Sequence, residues 1–260
     1  MQVKEVVSAL EHFAPLPLQD GFDNAGMQIG LAGTTDVAGA LLCLDVTEEV
    51  IDEAVAKGCN LIVSHHPLLF HGVKQVVGAT YVERCLMKAL KSGIAIYSAH
   101  TNLDNARGGV NYKIAEKLGL KVVGFLEEKA GQDAGSGVIC EAASAVEDID
   151  FLRRVKRTFG VKCLMHNALS GRPIRRVALC GGAGAFLLEQ AIAAGADLFL
   201  TGEMKYHEFF GHDGEIVIAS IGHYESEQYT TEILYSIISG ACPGLKVVVT
   251  EQVTNPINYL

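Results

Sequence analysis

Along this chain the apolar positions fall into two kinds of pattern, and the two alternate. Short continuous apolar runs at 40–44, 61–64 and 94–98 fit strands buried on both faces of a mostly parallel sheet. Between and around them lie segments whose apolar residues recur every three or four positions, predicting helices over 3–13, 48–57, 81–92 and 110–118. Thr47 is placed to cap the second of these, with Glu48 and Glu49 in its first turn, where the helix dipole favours acids. Val50, Ile51, Ala54 and Val55 make its apolar stripe. Further on, the pattern predicts strands at 138–142, 162–165 and 246–250 and helices at 146–159 and 224–239. The tract 131–137 (GQDAGSG) is the best linker or loop in the chain. Strand and helix alternating in this way favour an α/β fold.

One strand–helix–strand unit occurs twice. Residues 41–64 realign on 178–201, with Cys43 on Cys180, Ala54 on Ala191 and Gly58 on Gly195. The expectation is two similar α/β lobes from an internal duplication, 1–126 and 127–260, with the last strand able to cross back into the first sheet. After each copy an apolar strand runs into a histidine with an acid four residues later, His100 and Asp104 in the first, His223 and Glu227 in the second. A duplicated scaffold thus brings polar residues to corresponding strand ends, where a site between two lobes would be built.

The sharpest chemical signal is SHHP at 64–67. Neighbouring side chains on a regular strand point to opposite faces, so His65 and His66 share a site only where the strand has ended and the chain turns. Pro67 supplies that condition; a core histidine beside a loop histidine is the plainer alternative. On a helix over 224–239, His223 and Glu227 would share the inward face with Leu234 and Ile237. An inward carboxylate needs a cation or a hydrogen-bond network, although a cap plus a solvated acid explains a single such pair. Imidazole and carboxylate without thiolate suit zinc, manganese, iron, cobalt or nickel. Five or six ligands exceed the needs of one tetrahedral zinc, so two divalent metal ions per chain are expected, with hydrolysis as the reaction class.

Other polar residues flank these. His100, Asn102, Glu203 and His207 are candidates for orienting ligands or touching substrate, with His100 and Glu203 the candidate catalytic residues; Glu203 falls on His66 in the repeat alignment. Asp23 and Asn24 lie in a loop that could line the site, against ordinary turn chemistry. Asp45 ends a strand, where helix capping competes with a site role. His12, His71, His166 and His212 have no supporting spacing. The glycines of GGAGAF at 181–186 fit a tight strand-to-helix turn better than a dinucleotide site, since Leu187 stands where a third glycine would be; backbone amides there could still hold a phosphate.

Composition narrows the setting. Every apolar run stops well short of the roughly 20 residues that span a bilayer, and the start has no secretory pattern. The cysteines are scattered, odd in number at 7, and form no C-x-x-C, which argues against a disulfide frame or a thiolate zinc site and makes a cytoplasmic location the expectation. A net charge of −9 argues against nonspecific nucleic-acid binding but leaves room for a local metal site that attracts a small anion.

At these residues the chain also resembles a known family. FDNAGMQIG (22–30), SHHP, SAHTNLDNARGGVN (98–111), GGAG, TGEMKYH (201–207), GHYESE (222–227) and TNPI (254–257) are similar, in order, to segments of the NIF-three-like proteins, the GTP cyclohydrolase I type 2 homologues. The resemblance implies two α/β lobes with a dinuclear metal centre in the cleft between them, on His65, His66, Asp104, His223 and Glu227. It also implies a homohexamer with the sites facing an internal cavity. The function expected from residues and resemblance together is a metal-dependent hydrolase of a small phosphorylated or nucleotide-like substrate, GTP by the family label. A non-catalytic metal-binding protein and a regulatory interaction protein are the alternatives.

Overall fold

The continuous apolar runs become neighbouring parallel strands. In the computed structural model, which describes residues 1–30 and 35–260, the chain forms two units: residues 1–103 with 230–256, and residues 104–229 with 257–260. In chain order the elements are α1 (Val3–Phe13), β1 (Gly26–Ile29), β2 (Ala40–Cys43), α2 (Glu48–Ala56), β3 (Leu61–Ser64), α3 (Tyr81–Lys91), β4 (Ala95–Ser98) and α4 (Thr101–Asn105). They continue with α5 (Val110–Lys117), β5 (Lys121–Glu128), β6 (Gly135–Val146), α6 (Asp148–Phe159), β7 (Met165–His166), β8 (Ile174–Cys180), α7 (Leu188–Ala193), β9 (Leu198–Thr201), β10 (Val217–Ser220) and α8 (His223–Glu227). The chain closes with α9 (Thr230–Ala241) and β11 (Val247–Val249).

The first unit holds a five-stranded sheet in the order β1-β4-β3-β2-β11. β11, β2, β3 and β4 run parallel, and β1 pairs antiparallel with β4. All residues of β2, β3 and β4 are buried, which is why these strands lack the alternation of a half-exposed sheet. One face, with Leu41, Cys43, Ile62 and Ile96, packs on Val50, Ile51 and Ala54 of α2 and on Cys85 and Ala89 of α3. The Thr47 side chain accepts from the Val50 amide at 3.3 Å, the cap expected for α2.

The second unit holds a six-stranded sheet in the order β5-β6-β8-β9-β10-β7. Its parallel core is β8, β9 and β10. Phe199 of β9 is fully buried with Ala178, Ile218 and the α7 residues Leu188 and Ala191. The strand–helix–strand segments of the two units pair in the same register, Cys43 opposite Ser64 and Cys180 opposite Thr201. The chain is thus a mixed α/β protein with two sheets. Among the described residues no helix is long and apolar enough to cross a membrane.

Several sequence expectations are corrected. The tract 131–137 is a loop rather than a linker, and only in part: it forms the turn and the first residues of a β5–β6 hairpin, with Glu128 paired to Gly135. β5, unforeseen, is an edge strand whose mixed burial gives no clean periodicity. Val55 is 52% exposed, because it lies about 90° round the helix from the centre of the stripe made by Val50, Ile51 and Ala54. The helix expected over 224–239 is broken after Glu227, and α9 restarts at Thr230. The buried face of α9 is Ile233, Leu234 and Ile238, with Ile237 only partly covered.

Candidate metal centre

In the first unit the site is assembled just beyond three parallel strand ends. Past Ser64 the chain still bonds to the neighbouring segment, with the His65 amide on the Cys43 carbonyl at 3.2 Å and the His66 amide on the Leu44 carbonyl at 2.9 Å. The hydroxyls of Ser64 and Ser98 lie 2.7 Å apart, and that of Ser64 donates to the His66 carbonyl at 2.9 Å. This netting ends the strand and lets adjacent histidines turn to one side. The rings of His65, His66 and His100 gather with centroids 4.9, 5.3 and 5.5 Å apart, and one nitrogen from each lies within 4.8 Å of the others.

Each imidazole is oriented through Nδ1. His65, fully buried, places Nδ1 2.8 Å from the Ala99 carbonyl. His66 places Nδ1 2.7 Å from Asp45 Oδ1, and Asp45 Oδ2 accepts from the Thr254 hydroxyl at 2.7 Å. His100 places Nδ1 2.7 Å from Asp23 Oδ1, and Asp23 Oδ2 accepts from the Thr101 amide at 3.1 Å. All three partners are acceptors, so each Nδ1 carries the proton and each Nε2 carries the lone pair that could ligate a metal or accept a proton. Burial alone would raise the Asp23 carboxyl, but hydrogen bonds from His100 and Thr101 outweigh it and hold the group down at about 2. In Asp45 burial likewise opposes ionisation, and the hydrogen bonds from His66 and Thr254 lower it. Asp45 does not cap α2, a role that Thr47 fills. The pairing of Thr254 with Asp45 leaves no signal in sequence, because Thr254 reaches Asp45 from 209 residues away.

In the second unit, His223 opens α8 after Gly222, whose φ of +98° is open to glycine. Its Nδ1 lies 2.8 Å from Glu203 Oε1 and its Nε2 lies 3.1 Å from Glu227 Oε2. With Nδ1 donating to Glu203, the Nε2 lone pair confronts a carboxylate that is only 4% exposed. A cation, either a proton or a metal ion, reconciles the two. Glu227 is pressed against the backbone of Gly182: a Cβ built there would sit 2.3 Å from Glu227 Oε1. The amides of Gly181, Gly182 and Gly184 donate to Asn111, Ser226 and Thr201 side chains at 2.9, 3.0 and 3.0 Å. The glycine turn therefore seats the Glu227 carboxylate, with its three glycine amides held by side chains. Asn111 also donates to the Asp104 carbonyl at 3.1 Å, tying the end of α4 to the same turn.

Asn102, expected near ligand or substrate, is fully buried between backbone groups, donating to Ala14 O and accepting from the His100 amide. It fixes the backbone of His100. His207 is exposed in an aromatic cluster with Tyr206 and Phe210. Cys43 lies close in sequence, but burial first, then the Asp45 and Glu53 charges, push its thiol well up, so thiolate ligation does not compete. The structure thus contains histidine and glutamate groups that could bind a metal ion. Because ligand-orienting partners typically contribute 10–100-fold in metal affinity, Asp45→Asn is expected to weaken binding by about that factor, read by competition with a fluorescent chelator. Unchanged affinity would mean that His66 is oriented without Asp45.

Residues 1–256 match the family model described as Duf34/NIF3 (NGG1p interacting factor 3). A Clostridium perfringens protein called GTP cyclohydrolase 1 type 2 homolog is 34% identical over 230 residues, covering 87% of each chain. NIF3-like protein 1 of Drosophila melanogaster is 32% identical over 231 residues, 86% of this chain and 77% of the fly protein. Among solved structures, the Staphylococcus aureus hypothetical protein SA1388 superposes with a TM-score of 0.93 at 26% identity, covering 100% of this chain and 99% of that one.

Proposed function

This chain belongs to the Duf34/NIF3 family, and from that premise we propose that it is a metal-dependent hydrolase whose centre holds two divalent ions on His65, His66, Asp104, His223 and Glu227. The observation that carries the reading is the common orientation of the imidazoles. His65, His66 and His223 each give Nδ1 to a carbonyl or carboxylate, which is how proteins prepare Nε2 for a metal. The nitrogen and oxygen donors suit zinc, manganese, iron, cobalt or nickel. The five ligands come from both units; in this reading the chain descends from one duplicated ancestor as two α/β lobes, 1–126 and 127–260, with the centre in the cleft between the lobes.

Held by these residues, two divalent ions would supply Lewis-acid activation of water and offset charge that builds on the substrate. His100, its Nδ1 proton held by ionised Asp23, offers Nε2 to take a proton from the attacking water and return it to the leaving group. Glu203 holds His223 by the 2.8 Å bond to Nδ1, so it acts by positioning. The substrate is a small phosphorylated or nucleotide-like molecule, in keeping with the names of the curated relatives. Assembly as a homohexamer in the cytoplasm accompanies this reading.

Elemental analysis of untagged protein purified without chelator tests it, beside Glu227→Ala. Close to two transition ions per chain, falling sharply in the variant, is expected. Little metal in both, with no uptake on titration, would overturn the catalytic reading. His100→Ala should keep its metal while losing turnover in a substrate screen.

A further inference from the structure

The first unit also holds two aromatic rings out to solvent, on loops that are firmly tied together. Phe22 is 69% exposed and Phe70 37% exposed, with centroids 6.4 Å apart and ring planes at 66°. With Leu69, Val73 and Leu86, and the polar Asn24 and His71, they line a cavity of about 500 Å³, a size typical of small-molecule sites. The backbone beside each ring is pinned. Asn24 Nδ2 donates to the Leu69 carbonyl at 2.7 Å, Gln28 Oε1 accepts from the Leu69 amide at 3.1 Å, and Gln28 Nε2 donates to the Asn24 carbonyl at 2.7 Å. Asp23, next to Phe22, is locked to His100 and Thr101. Phenylalanines gain nothing from facing water, and loops this restrained do not turn them inward. Pre-organising an apolar surface is useful when something binds it.

The position of the pair narrows what that is. Phe70 meets the His100 ring edge-on, 6.0 Å between centroids at 88°, so the cavity adjoins the histidine group. A third flat ring stacked on Phe22 would meet Phe70 edge to face, and both contacts are favoured by the aromatic quadrupole. We propose that Phe22 and Phe70 form a ring-binding subsite that takes a planar heteroaromatic group, of the nucleobase class, from the molecule whose polar end reaches His100. The link to His100 rests on the hydrolase reading; the ring site itself does not.

Saturation-transfer NMR on the full chain, with adenosine as probe and ribose as the ring-free comparison, tests this on metal-loaded and chelator-treated protein. The variants are Phe22→Leu, which keeps apolar bulk without a ring, and Phe22→Ala; the exposure of Phe22 makes both compatible with folding. Transfer to the adenine ring protons but none to ribose is expected in the parent, with binding about 5- to 150-fold weaker in both variants, the span of one base–aromatic stack. The same loss in chelator-treated protein would support the subsite even if the metal reading fails. Metal bound as expected but no adenosine contact, or equal binding by Phe22→Leu, would overturn the subsite and leave the hydrolase reading standing. Dissociation of an oligomer by Phe22→Ala, seen by light scattering, would also overturn it, since a second copy would then cover the ring.

Discussion

Replacing Gly182 by alanine is expected to remove bound metal and to destabilise the protein together. Two effects add at this position. Gly182 has φ of +59°, where an L side chain costs roughly 1–2 kcal/mol. Its new Cβ would also lie 2.3 Å from Glu227 Oε1, so Glu227 must move, and it cannot move far while only 4% exposed. Gly195 separates the two effects: φ is +68°, and nothing lies within 4 Å of a Cβ built there. Gly195→Ala should therefore cost the conformational term alone and keep its metal. Thermal melts and elemental analysis of both variants read the comparison. Equal metal content in Gly182→Ala and Gly195→Ala would show that Glu227 does not need its seat on the glycine turn.

The largest loss of stability is expected from Phe199→Ala. Phe199 is fully buried in a central strand of the second sheet, enclosed by Ala178, Ala191, Leu188 and Ile218. Truncation loses the transfer energy of the ring and leaves a cavity that neighbouring strands cannot collapse into, typically about 3–5 kcal/mol. In a protein of this size that corresponds to roughly 6–20 °C in Tm. Phe210→Ala removes the same atoms from a residue 60% exposed and should change Tm little. A shift for Phe199→Ala no larger than for Phe210→Ala would contradict the packing of the second core.

The sequence by itself determined the elements whose energy is local or repeated. α1 was legible from apolar residues recurring every three or four positions, the strands β2, β3 and β4 because buried parallel strands read as near-continuous apolar runs, and Thr47 was legible as a cap because its partner is three residues away. His65, His66, Asp104, His223 and Glu227 stood out through short spacings, and the segments around them were enough to place the chain in its family.

Only the tertiary structure decided what orients these side chains. The partner of His66 is Asp45, 21 residues away, and that of Asp45 is Thr254, 209 residues away; the partner of His100 is Asp23, 77 residues away. The bond from the Gly181 amide to Asn111 spans 70 residues. Hydrogen bonds between segments so distant leave no periodicity in the chain, since any acid, amide or hydroxyl at a loop position reads as turn chemistry until the fold brings its acceptor close. The break between α8 and α9 is of the same kind: Gln228 reaches back to the Phe159 carbonyl at 3.0 Å, a contact that helical propensity over 224–239 could not register. The donor types were written in the chain, while the direction in which each imidazole presents its lone pair came from packing.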